Sequence, residues 1–182
     1  MLLDKSYKKL KEIFQAHMLV KADTRILDIG CGRRGNFACL PREVYTGIDV
    51  ELNKKNRDDG NYFLMDAKKL VFEDKYFDYM ISTSFFHHLS DAECAAVCEQ
   101  IKAKLKADGT VVIADGIYPE SKLNIPGWLI RSLDRGRYVR RRNSFRNMFL
   151  KDFVIEKEYY FVDKIFAYSV LILKNKSMDN EN

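Results

Sequence analysis

The chain reads as an α/β protein, a single doubly wound domain on a mostly parallel, seven-stranded sheet with an antiparallel C-terminal strand. Helices are expected on both faces. Three observations predict this. Five short apolar runs recur along the first two thirds of the chain, at Arg25–Cys31, Val44–Val50, Asn61–Met65, Phe77–Phe86 and Thr110–Gly116. Several are apolar on both faces, as parallel strands covered by helices on each side must be. Two further β-rich runs, Phe153–Phe161 and Ile165–Leu173, flank the polar Val162-Asp163-Lys164, which suits an antiparallel hairpin.

The elements follow in order. Leu3, Tyr7, Leu10, Phe14 and Met18 are spaced as one face of a helix, with lysines opposite. The clearest helix lies between the fourth and fifth runs. Ser90-Asp91-Ala92-Glu93 has the capping-box pattern, in which Ser90 and Glu93 satisfy free amides at a helix start. Cys94, Val97, Cys98, Ile101 and Leu105 then form one apolar stripe, and Asp108-Gly109 supplies the expected stop. Ile117 to Leu150 is less regular, with Pro119, Pro126, Gly127, Trp128 and many arginines. No internal repeat or low-complexity tract occurs.

Composition narrows the classes. A chain of 182 residues with 47% hydrophobic and 31% charged residues fits one ordinary domain. Its net charge of +5 does not demand a nucleic-acid partner. Cys31, Cys39, Cys94 and Cys98 form no CxxC pair and no zinc spacing, so buried thiols and no metal are expected. No secretory leader is visible, and no apolar run approaches the ~20 residues of a membrane span. A cytoplasmic, reduced setting is the expectation.

The loop Gly30-Cys31-Gly32-Arg33-Arg34-Gly35 leaves the first strand, and its glycines let the backbone turn and a cofactor approach closely. Alone, such a match is weak. Asp49 ends the second strand about 20 residues after the loop begins, where a carboxylate accepts ribose hydroxyls. Asp66 ends the third, where a carboxylate can accept from an adenine amino group. Each also has a plain reading as a helix cap.

In this order, Leu27-Asp28-Ile29-Gly30-Cys31-Gly32, Gly47-Ile48-Asp49, Met65-Asp66-Ala67, Phe77-Asp78-Tyr79-Met80-Ile81, Phe86-His87-His88-Leu89 and Leu105-Lys106-Ala107-Asp108-Gly109-Thr110 resemble the class I S-adenosylmethionine-dependent methyltransferase family. Phe-Asp before an apolar strand and His-His-Leu are similar to its small-molecule, type 11 branch. The resemblance covers about Leu19 to Lys174 and implies a Rossmann-like fold. It implies S-adenosylmethionine as cofactor and S-adenosylhomocysteine as product. Gly30 and Gly32 would pass under the methionine part, with Asp28 organising its ammonium side. Asp49 would hold the ribose, Asp66 and Ala67 the adenine, and backbone around Thr83 the amino-acid end; Cys31 and Val50 complete the expected set. The methyltransferase domain is expected over 1–175, with an N-terminal helix in 1–20 and an acceptor-side insert over 117–150. Residues 176–182 would be a frayed tail.

Two departures stand out. Arg34 occupies a usual glycine position, and only about ten residues separate the second and third strands, a short connection for a helix. A nicotinamide-dependent oxidoreductase is the rival enzyme class. Asp28, Asp66 and the closing hairpin count against it, since a pyrophosphate would sit poorly beside an extra carboxylate.

Methyl transfer needs an in-line nucleophile, and a base helps when the acceptor is a hydroxyl. His87 and His88 follow the fourth strand, at the sheet edge that carries ligands, and are the catalytic candidates. The alternative is that one ties down the loop and the other caps the helix Ser90 to Lys106. The arginines between Arg131 and Arg146, interleaved with Trp128, Tyr138 and Phe145, suit phosphate or carboxylate recognition. Trp128, Arg137, Tyr138 and Arg140 are the substrate-binding candidates, beside the alternative of a solvated basic surface. The leading expectation is methyl transfer to oxygen or nitrogen of a small, anionic acceptor by a monomer or weak homodimer. An RNA or protein methyltransferase is less favoured, since no Asn-Pro-Pro-Tyr-type motif occurs. A catalytically inactive cofactor-binding partner is the third class.

Overall fold

The structure, a computed structural model, describes residues 4–32, 40–52, 61–134 and 136–176. The sheet has seven strands in the order β3-β2-β1-β4-β5-β7-β6. They are β1 (Ile26–Ile29), β2 (Tyr45–Asp49), β3 (Tyr62–Leu64), β4 (Phe77–Thr83), β5 (Leu105–Ile117), β6 (Phe153–Asp163) and β7 (Phe166–Asn175). β1 pairs in parallel with β2 and β4, β2 with β3, and β4 with β5. β7 runs antiparallel to both β5 and β6. Strand order reverses between β1 and β4, and ligands of such sheets sit beyond the strand C-termini at that switch point.

Alternation along the strands builds two cores. Val111 and Ile113 of β5 face one, with Leu27, Ile29, Met80 and Leu171; Val112 and Ala114 face the other, with Ile26, Ile81 and Val170. Helix α1 (Asp4–His17) covers the second through Leu10, Ile13 and Phe14. Helix α2 (Asp91–Lys104) covers the first through Cys94, Val97, Cys98 and Ile101. The stretch after β5 supplies α3 (Ile125–Ser132) and α4 (Arg142–Asn147), and Phe145 and Phe149 of the α4 region join the first core.

The capping box at α2 is complete: the Glu93 amide donates to Ser90 Oγ at 3.4 Å and the Ser90 amide to Glu93 Oε2 at 3.0 Å. The helix stops earlier than its expected Asp108-Gly109 signal. Leu105 is already extended and buried, paired with Phe77, and the register then shifts so that Tyr79 meets Thr110. Asp108-Gly109 therefore lies in an irregularity of β5, held by Lys174 Nζ donating to the Asp108 carbonyl at 2.7 Å. β4 also ends before Phe86, because Ser84 takes a positive φ of 54° and a short 3-10 turn, Phe86–His88, follows. The hairpin turn is narrower than expected, with Asp163 facing Phe166 across Lys164 and Ile165. Cys31, Cys94 and Cys98 are buried free thiols, and burial pushes the last two up to about 11 and about 12. Cys39, Leu3, most of the β2–β3 connection and residues 177–182 lie outside the described residues.

Candidate active site

β1 is buried along its whole length and ends in two residues of positive φ, Gly30 at 71° and Gly32 at 68°. A Cβ on Gly30 would lie 2.4 Å from Phe85 Cδ2, so only glycine lets Phe85 pack there. A Cβ on Gly32 would meet nothing within 4 Å, which marks open space beside the backbone. The Gly32 amide donates to Asp49 Oδ2 at 2.8 Å and the Glu51 amide to Oδ1 at 2.9 Å. Asp49 is thereby fixed against the glycine loop. Arg33, Arg34 and Gly35 of that loop lie outside the described residues.

A cleft of about 540 Å³ opens here, within the size range of small-molecule sites. It brings together the expected Gly30, Gly32, Asp49, Val50, Asp66, Ala67 and His88. Asp66 Oδ1 accepts from the Lys68 amide at 2.9 Å, and Lys68 Nζ reaches Glu93 Oε1 at 2.9 Å, tying the β3 end to α2. Asp28, Cys31 and Thr83 stand behind the wall. Asp28 is fully buried, and its Oδ2 accepts from the Tyr45 hydroxyl at 2.6 Å; burial, then the Asp28 charge, raises the Tyr45 pKa. Burial likewise raises the Cys31 thiol, which lies 3.7 Å from the Gly32 carbonyl. Thr83 is buried, and its hydroxyl makes no hydrogen bond among the described residues.

The histidines part company although their rings are 4.0 Å apart. His88 lines the cleft. His87 is buried, with Nδ1 2.6 Å from Asp115 Oδ1 and its amide donating to Oδ2 at 3.1 Å. Burial opposes protonation of His87, but the hydrogen bond and charge of Asp115, joined by Asp134, prevail and hold it above the ordinary imidazole range. His88 is held below that range by burial and by the His87 charge.

Asp115, Asp134 and Phe85 are site residues that sequence reasoning missed, and Arg131, expected among the anion-binding arginines, is paired inside the protein instead. Asp115 had one visible signal, a lone carboxylate inside the apolar run Val111–Ile117, where a buried charge requires a partner. Asp134 lies 3.9 Å from His87 Nε2 and accepts from Arg131 Nη1 at 2.9 Å. Arg131 is itself buried over the Phe166 and Tyr168 rings, in space left by Gly116, where a Cβ would lie 2.2 Å from its Nη2. Gly136 packs on the His87 ring in the same way.

The expected substrate residues are spread out. Trp128 stacks on Tyr118 at 4.7 Å and opens onto a second cavity of about 580 Å³, shared with Arg141 and Arg142. Arg142 is paired with Glu158 and Glu120 at 2.7 and 3.1 Å. Arg137 and Tyr138 are exposed, and the Tyr138 amide donates to the His87 carbonyl at 3.0 Å. Arg140 directs its guanidinium to Asp91 and to the carbonyls of Phe86, Leu89 and Tyr138, all within 3.0 Å, fastening the insert to the 3-10 turn. Arg135 lies outside the described residues.

A nucleoside joined to an amino acid fits this cleft: open backbone at Gly32, one carboxylate at the end of β2 and another after β3. Residues 27–113 match the family model of the methyltransferase domain. No curated protein matches the chain. Among solved structures, the PH0226 protein from Pyrococcus horikoshii OT3 is 18% identical, with 94% of this chain and 91% of that one covered and a TM-score of 0.72. Geranyl diphosphate C-methyltransferase from Streptomyces coelicolor A3(2), solved with Mg2+, geranyl diphosphate and S-adenosyl-L-homocysteine, is 12% identical, with 96% and 82% covered and a TM-score of 0.73. The YcgJ protein from Bacillus subtilis is 16% identical, with 94% and 100% covered and a TM-score of 0.66. At these identities the likeness is one of fold.

Proposed function

We propose that this chain is a class I S-adenosylmethionine-dependent methyltransferase that transfers the cofactor's methyl group to oxygen or nitrogen of a small, anionic acceptor. The observation that carries this reading is the place of His88 in the wall of the carboxylate-lined cleft, with a basic insert directly after β5. S-adenosylmethionine, when bound, supplies an electrophilic methyl group on a positively charged sulfur.

Asp49 accepts the ribose hydroxyls, and its fixed carboxylate needs no reorientation to do so. Asp66 accepts from the adenine amino group, the Ala67 amide faces the ring, and Val50 flanks it. Gly30 and Gly32 present bare backbone to the methionine part. Asp28, Cys31 and Thr83 support that wall from behind. His88 is the base: with its pKa held down it stays neutral, so a ring nitrogen can take the proton that the acceptor loses. His87 is a positioning residue, since Asp115 binds its Nδ1 and the Asp134 charge lies near its Nε2, and together they keep its charge beside His88.

Arg137 and Tyr138 meet the acceptor at the exposed edge of the insert, and Arg140 holds that edge in place. Trp128 extends the acceptor surface toward the second cavity. The geranyl diphosphate enzyme acts on an anionic acceptor on the same fold, which supports the assignment of charge.

The test is incubation with methyl-labelled S-adenosylmethionine and a panel of phosphorylated and carboxylated small molecules, with RNA and mixed protein in parallel. Label in an anionic small molecule is the expected outcome. Label confined to RNA or protein overturns the acceptor class, and cofactor binding without turnover on any substrate overturns the catalytic reading.

A further inference from the structure

Helix α3 is apolar on the wrong side for a helix with only this domain to pack on. Its inward face is Gly127, Trp128 and Arg131: a Cβ on Gly127 would lie 2.3 Å from the Ile165 carbonyl, and Asn124 Nδ2 donates to that carbonyl at 2.9 Å. The helix is thus seated firmly on the β6–β7 turn. Its outward face carries Ile125, Leu129 and Leu133, one helical turn apart, exposed by 69%, 60% and 76%, and Leu123 just before the helix is 90% exposed. Adjacent aliphatic side chains at this exposure form a patch that needs an occupant.

The rim of the patch is basic. Lys122, next to Leu123, and Arg141 are exposed, and Arg141 lies 5.3 Å over the Trp128 ring. Residues 121–151 hold nine Lys and Arg against one acidic residue, Asp134, which is paired with Arg131. We propose that α3 and its flanks dock this chain on the surface of an anionic lipid bilayer, the aliphatic stripe entering the headgroup boundary and the cations meeting lipid phosphates.

The geometry favours a bilayer over other occupants. The stripe lies on the outward side of a helix, a shape that inserts rather than receives. In a symmetric dimer the same patch would meet itself and bring two basic rims together. An RNA backbone would answer the cations and leave the aliphatic stripe in water. No helix among the described residues is long and apolar enough to cross a membrane, so the contact is peripheral. The surface does not depend on the identity of the methyl acceptor.

The full chain is titrated with vesicles of phosphatidylcholine alone and of phosphatidylcholine with phosphatidylglycerol. The expected result is co-sedimentation with the anionic vesicles only, weakened by salt. Replacing Ile125 and Leu129 together with Asp should lower partitioning at least about tenfold while S-adenosylmethionine affinity is retained. Replacing Lys122 and Arg141 with Glu should lower it roughly fivefold or more for each cation removed. Absence of binding to anionic vesicles overturns the proposal, as does binding that the Asp variant leaves intact. A lipid-free dimer that the Asp variant dissociates assigns the face to a second copy and overturns it as well; so does RNA binding that excludes vesicles.

Discussion

Consecutive histidines on one 3-10 turn meet opposite surroundings, and the difference has a measurable sign. The folded pKa of His87 is raised, so its contribution to stability is fully present below the unfolded imidazole value and is lost as pH rises through the folded value. His88 is lowered, so folding is opposed as pH falls below the ordinary range toward its folded value. Histidine NMR titration should place His87 above 6.5 and His88 below it. Asp115→Asn should bring His87 down, because it removes the hydrogen bond and the charge that hold the ring protonated. A His87 that still titrates above 6.5 in that variant would mean that Asp115 does not set its charge. At Asp49, replacement with Ala removes the acceptor of two amides along with the proposed ribose ligand, and S-adenosylmethionine affinity measured by calorimetry should fall roughly tenfold or more. Asp49 and Asp66 were legible because a strand end is set by local pattern. Asp134 was not, because its partner His87 lies 47 positions away and only folding joins them.

At the scale of elements, the insert is held by side chains that sequence alone presents as an undifferentiated basic run. Arg140 has carboxylate and carbonyl acceptors around its planar fork, whereas Arg137 is exposed. Arg140→Ala should cost about 2–3 kcal/mol in chemical unfolding, because it removes charge-assisted bonds and leaves the Phe86 and Leu89 carbonyls without their guanidinium donor. Arg137→Ala should leave the unfolding midpoint unchanged and raise the acceptor KM. Equal loss of stability in the two would remove the distinction. The strands and α2 were legible from apolar runs and the Ser90–Glu93 pattern. The end of α2 was not: Leu105 continues its apolar stripe, yet pairing with Phe77 pulls it into β5, a tertiary preference that outweighs the local stop.

Across the whole molecule, charge is divided unevenly. The chain has 31 Lys and Arg and 26 Asp and Glu; apart from the nine and one of residues 121–151, the remainder holds more acidic than basic residues. The proposed anionic acceptor would therefore be drawn to the insert from a distance, and kcat/KM for it should fall as salt rises from low to physiological strength. A neutral analogue of the acceptor should show no such dependence, and a flat profile for both would exclude long-range attraction. The seven-strand plan was legible from the spacing of its runs, but the placement of β7 between β5 and β6 was not, since a hairpin can add either strand to a sheet edge.

That placement also governs how the protein comes into being on the ribosome. β5 is buried on both faces and bonded on one side to β4, but its other edge is closed only by Phe166–Asn175. During synthesis the nascent chain holds β1 to β5 and most of the cofactor cleft while β5 still shows a row of open amides and carbonyls to its surroundings. A transcript cut short within β6 would thus yield a protein that carries Asp49, Asp66 and His88 yet joins edge to edge with its siblings, a substrate for chaperones or proteases.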